Sequence, residues 1–94
     1  MKKYTPDSWV ILNVPGVGNR ILAGWYDPAW RLSSQVQSIH DLGKYYTIKT
    51  KTGSIYTCSK DCMELSGYTS AIYEYILTLM DGIRLLKNDE ILKC

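Results

Sequence analysis

The sequence predicts an α+β domain: an antiparallel meander sheet of about five strands with one C-terminal helix packed on one face. Three observations carry this expectation. Up to position 58, apolar residues run continuously or alternate with polar ones, as strands require. Short clusters rich in Gly, Pro, Asn and Asp separate these runs. Beyond position 69 the apolar period becomes that of a helix.

The elements follow in order. Residues 8–14, Ser-Trp-Val-Ile-Leu-Asn-Val, form an apolar, β-branched strand run. Pro15-Gly16-Val17-Gly18-Asn19 is a turn cluster, and residues 20–26 return, with Ile21, Ala23 and Trp25 sharing a face. Asp27-Pro28 is a second turn, followed by a strand from about Trp30 to Ile39. After the loop His40–Lys44, Tyr46, Ile48 and Thr50 alternate with Tyr45, Thr47, Lys49 and Lys51, one face half-buried and the other wet. Thr52-Gly53 turns the chain into a fifth strand, Ser54 to Cys58. Ile72, Tyr75, Ile76, Leu79 and Met80 then fall at helical spacing, with Thr69 or Ser70 placed to cap the start and Gly82 to end the helix. The tail from Ile83 fits either extended chain or more helix, and extended chain is the expectation. One apolar sheet face needs a cover, and the helix supplies it.

Composition narrows the class of work. Ninety-four residues make one domain, 1–94, with one modest core. A net charge of +2 argues against a strongly basic nucleic-acid protein. No apolar run approaches the length of a membrane-spanning helix, so no membrane association is expected. No apolar run follows Lys2-Lys3, so no secretory signal is read, and three cysteines in a chain without one point to free thiols in the cytoplasm. Eight tyrosines and three tryptophans stand against no phenylalanine. Such rings carry a polar tip, which suits thin layers and binding faces better than deep cores.

Plain packing competes with chemistry at each candidate site. Cys58 and Cys62 have metal-like spacing, but structural zinc takes four ligands, and only His40 and Cys94 remain to complete a set. A Cys nucleophile needs a base and a group to orient it, and Asp41, next to the lone His40, is badly placed to do so. Cys58 is therefore read as a strand-end packing residue and Cys62 as part of the connection to the helix. Gly16-Val17-Gly18 opens like a dinucleotide fingerprint but leads into a strand, so it lacks the helix N-terminus that would hold phosphate. No enzyme activity, cofactor or metal is expected.

Two surface signals remain. Trp25, Tyr26, Trp30 and Arg31 surround one turn with the composition of a protein-interface hot spot; core packing of both tryptophans explains them equally well. Lys44, Lys49, Lys51 and Lys60, interleaved with Tyr45 and Tyr56 in a window, 44–60, that holds no acidic residue, have the composition that tracks a phosphate backbone and stacks bases. A solvated face whose lysines guard a sheet edge is the plainer account of the same residues.

In three stretches, GWYDPAWRLSSQVQSI (24–39), KTGSIYTCSKDC (51–62) and SGYTSAIYEYIL (66–77), the chain resembles small accessory proteins of phages and prophages. The resemblance covers roughly residues 22–78 and lies in sheet and turn residues. It implies a phage origin and assigns no functional residue. Several comparably small phage proteins block host defence, CRISPR surveillance complexes included, by binding. The expectation is thus a phage-type, anti-CRISPR-like inhibitor of a bacterial defence complex acting by steric occlusion. Its partner would be a host protein or ribonucleoprotein. The alternative is a single-stranded nucleic-acid-binding module.

Overall fold

The computed structural model describes residues 2–26 and 29–93, the side chains of residues 92 and 93 excepted. Among them, seven strands form one sheet: β1 (Lys3–Tyr4), β2 (Ser8–Val14), β3 (Gly18–Gly24), β4 (Trp30–Asp41), β5 (Tyr45–Thr50), β6 (Ile55–Ser59) and β7 (Arg84–Leu85). The spatial order is β1-β6-β5-β4-β3-β2-β7. The five long strands are the expected meander, each antiparallel to the next. The two-residue strands extend it at both edges, β1 parallel to β6 and β7 antiparallel to β2. Among the described residues one α-helix, α1 (Gly67–Leu79), stands between β6 and β7 in the chain. The Asp27-Pro28 turn and Cys94 lie outside the described residues.

Local chemistry accounts for the turns. Val17 N–H donates to Val14 O across Pro15-Gly16, and Gly16 has φ 78°. Pro presets the second position of such a turn, and only Gly adopts that left-handed third position without strain. The glycine pair is therefore a hairpin turn between β2 and β3, not a phosphate cradle.

The sheet is not flat. β4 has twelve residues and carries irregular register against both neighbours, between Arg20 and Leu22 on β3 and between Val36 and Ser38 on its β5 side. Such bulges bend a strand and sharpen its twist. The Ser33 hydroxyl fills the first irregularity by accepting from Ile21 N–H at 2.8 Å. The bend brings Trp9 of β2 onto Tyr46 of β5, with ring centroids 5.9 Å apart and planes at 82°. The Trp9 indole N–H donates to Ser59 O at 2.7 Å, and Trp9 makes a parallel bridge with Met63 just beyond β6.

This curl explains the continuous apolar run in β2. One face, Trp9 and Ile11, packs with Ile21, Ala23, Tyr46, Ile48, Tyr56 and Cys58 inside the curl. The other face, Val10, Leu12 and Val14, packs with Leu22, Ile76 and Ile83 beneath the helix. A strand buried on both faces has no polar side to show.

Helix α1 starts earlier than its apolar stripe predicts. Ser66 is the N-cap, its hydroxyl accepting from Thr69 N–H while the Thr69 hydroxyl accepts from Ser66 N–H. This reciprocal capping box satisfies two amides the helix leaves without partners. The inward side is Thr69, Ile72, Tyr73 and Ile76, while Tyr75 and Leu79 face solvent. After Gly82 the chain is extended, as expected, and then closes in a 3₁₀ turn, Asn88–Lys93, that drops Ile91 into the first core.

Candidate functional site

The end of β3 and the start of β4 carry the aromatic cluster, and three backbone or side-chain bonds tie it to the segment before β2. Trp25 Nε1 donates to Thr5 O at 3.1 Å. Tyr26 N–H donates to Asp7 Oδ2 at 2.8 Å, and Asp7 N–H donates to Gly24 O at 2.9 Å. Each bond crosses between segments, so the loop base is held by residues remote in the chain.

On the inner side of the sheet, Tyr4 stacks on Tyr56, centroids 4.9 Å apart and planes at 23°, and tilts against Trp25 at 6.1 Å. Arg31 lies over the Tyr4 ring at 4.9 Å and donates from Nε to the Tyr56 hydroxyl at 3.1 Å. Burial pushes the Tyr56 hydroxyl's pKa up, and the Arg31 guanidinium opposes the shift. Arg31 is thus an oriented cation on an aromatic stack.

Register separates the cluster into two faces. Ala23 pairs with Arg31, whereas Gly24 pairs with both Trp30 and Ser8. Paired residues share a face. Trp30 therefore sits on the helix side, in a row with Gly24 and Ser8, and Arg31 on the opposite side. Trp25 joins the inner cluster, Tyr26 is 95% exposed and Trp30 is 43% exposed. The hot-spot composition thus divides into a half-buried anchor, Trp25, an oriented Arg31 and two exposed rings. At the row's Ser8 end a cavity of about 190 Å3 opens, lined by Asp7, Ser8, Trp25, Tyr26, Glu64 and Ser66. Among the described residues, a second cleft of about 240 Å3 at the β4 irregularity has no charged side chain in its lining.

The basic-aromatic set does not assemble as one surface. Lys49 pairs with Ile55, which pairs with Lys3, and Tyr45 pairs with Ser59, so Lys3, Tyr45 and Lys49 share the outer face. Lys44 and Lys51 are exposed in the turns flanking β5. Tyr56 is fully buried on the inner face. Lys60 donates to Asp41 Oδ1 at 2.7 Å and lies over the Tyr46 ring at 4.7 Å. That bond, with a second from Gly43 N–H, holds the Asp41 carboxyl below the ordinary aspartate range.

Cys58 and His40 point apart. Cys58 pairs with Tyr46 inside the curl, and His40 pairs with Thr47 outside it. Cys58 is completely buried, and burial pushes its thiol up to about 12, so it is protonated at neutral pH. Cys58 and Cys62 are both free thiols. Among the described residues, no three His, Cys, Asp or Glu side chains converge as metal ligands.

Sequence reasoning missed Tyr4, Asp7, Ser8 and Glu64. Each is unremarkable locally; only strand pairing and the path from β6 into α1 bring them to the tryptophans. No known family model, curated protein or solved structure matches the chain.

Proposed function

We propose that the protein acts by binding, presenting Trp25, Tyr26, Trp30 and Arg31 to a protein partner and blocking that partner sterically. The observation that carries this reading is the contrast between a loop base fixed by three cross-segment hydrogen bonds and rings left open to solvent. Trp25, bonded to Thr5, and Arg31, held by Tyr4 and Tyr56, are already ordered and lose little freedom on docking, so their contact area converts efficiently into affinity. The resemblance to phage accessory proteins makes a bacterial defence complex, CRISPR surveillance complexes included, the first partner to test.

The test is a pull-down from a bacterial host, followed by binding measurements on the partner identified. Trp30→Ala combined with Arg31→Ala is expected to weaken binding at least tenfold, with a far-UV spectrum and unfolding midpoint that still report a folded protein. Unchanged affinity in the folded double variant removes this surface from the interface.

A second reading keeps Tyr45 and Lys49, which share the outer face with Lys3. A single-stranded oligonucleotide would bind there with affinity that falls steeply as salt rises. Tyr56 and Lys60, committed elsewhere, are not available to it.

A further inference from the structure

We infer that the open side of β4 receives an extended, uncharged segment of a partner polypeptide as an added strand. The inference goes beyond the docking surface above and does not depend on it. Trp30 and Arg31 begin β4, whereas the stretch in question ends it.

β3 and β4 separate partway along the sheet. Their pairing runs from Gly24–Trp30 to Arg20–Gln35 and stops there. β4 continues to Asp41, and over Val36–Asp41 it pairs with β5 alone. The hairpin into β5 fixes which backbone groups are left open. Leu42 N–H donates to Tyr45 O at 2.9 Å. Alternation along an antiparallel ladder then turns the N–H and C=O of His40 and Ser38 toward β5. Those of Ile39 and Asp41 turn away from it, toward the side that β3 has left. The result is a strand edge within the sheet, about 20 Å long over its six residues.

The cleft of about 240 Å3 opens where the two strands separate. Gly18 and Asn19 form one wall, residues 35–39 the other, and Ile91 contributes an apolar contact. Three properties select the occupant. First, open donors and acceptors recur every second residue, about 6.6 Å apart, a spacing that an extended polypeptide matches. Second, the end of β3 stands opposite the edge, so a single chain can enter where a second copy's whole sheet would meet that wall. Third, among the described residues the lining has no charged side chain. It offers no cation to a phosphate backbone, and a charged residue entering it would lose water without gaining a partner. The side-chain amides of Gln35 and Gln37 make no hydrogen bond among the described residues, so both a donor and an acceptor remain for peptide groups. Strand addition of this kind draws affinity from main-chain bonds.

The test uses the uncharged peptide N-acetyl-Thr-Val-Gln-Val-Thr-amide, titrated to millimolar concentration into the full-length protein and followed by amide NMR. Saturable shifts are expected at the Ile39 and Asp41 amides. Two analogues carry N-methyl groups on alternate backbone nitrogens, one on the Thr and Gln residues and the other on the Val residues. A strand bonds through one alternate set only, so one analogue should bind at least tenfold more weakly and the other should remain close to the parent peptide. Ile39→Pro removes an open-side donor without touching the β5 ladder, and should weaken the peptide at least tenfold in a protein whose far-UV spectrum is that of a folded chain. If that variant does not fold, the pair of methylated peptides decides alone. Absence of saturable shifts, shifts centred on the outer edges at Lys3 or Arg84, equal loss with both analogues, or full affinity in folded Ile39→Pro overturns the inference. So do saturable shifts of the same amides with an oligothymidylate, which would make the cleft a nucleic-acid site.

Discussion

Burial inside the curl raises the Cys58 thiol from an ordinary value of 9.0 to about 12. The unfolded chain therefore loses this proton first as pH rises. The raised pKa contributes stability that is present below 9.0 and is lost as pH climbs towards about 12. Tyr56, also raised by burial, adds a contribution of the same sign in the alkaline range. Urea midpoints are expected to fall between about pH 8 and about pH 10.5, and Cys58→Ala should make that fall shallower without abolishing it. A midpoint that holds steady would place the thiol in water. Asp41 behaves oppositely. Its lowered pKa gives a contribution present above 3.8 and lost as pH drops through the folded value. Lys60→Ala should raise the Asp41 pKa towards its ordinary value, read by NMR titration of the side-chain carboxyl. At this scale the sequence showed which residues carry chemistry but not which face they would take. Cys58 was legible as packing because it ends an apolar alternation. Lys60 was not legible as a paired cation, because Asp41 lies a hairpin away. Tyr56 looked exposed in composition, yet its register with Ile48 puts it inside.

At the scale of elements, the join between α1 and the sheet governs the site. A Cβ built on Gly24 would lie 2.6 Å from Thr69 Cγ2. Thr69 cannot swing aside cheaply, because its hydroxyl is held in the capping box and the residue is buried. Gly24→Ala should therefore push the start of α1 away from β3 and cost about 1–3 kcal/mol, as overpacking does, measured by chemical denaturation. The Trp25 indole signal should shift with it, since Trp25 and Ser66 share the cavity lining. A variant as stable as the parent would show that the helix start adapts freely. The helix itself was legible from its period, but its phase was not. Tyr75 and Leu79 belong to the apolar stripe read from spacing, yet both face water, and the buried side begins at a threonine. A polar residue that serves as half of a capping box and also packs against a glycine leaves no mark in a hydrophobic pattern. The strands fared better because alternation reports a face directly, as in Tyr46, Ile48 and Thr50.

For the molecule as a whole, the decisive feature is that the sheet has two cores. Adjacent residues Ile11 and Leu12 are both completely buried, one inside the curl and one beneath the helix. A flat sheet with a single cover would tolerate truncation at one of the pair. Here Ile11→Ala and Leu12→Ala should each cost about 2–5 kcal/mol, measured by urea unfolding of the two variants. A loss below about 1 kcal/mol at either position would mean that one core does not form. The α+β class and the meander were legible, because runs and turns are local. The curl was not, since it depends on β4 bending against both neighbours and on Trp9 meeting Tyr46, Ser59 and Met63 across the sheet.

The outermost strands are two residues long on each side, and much of the remaining rim is used by Trp9, Met63 and Leu86. Edge strands this short give another polypeptide little to zip onto. A partner that docks through side chains instead of these edges could be exchanged for another by single exposed substitutions that leave the scaffold untouched.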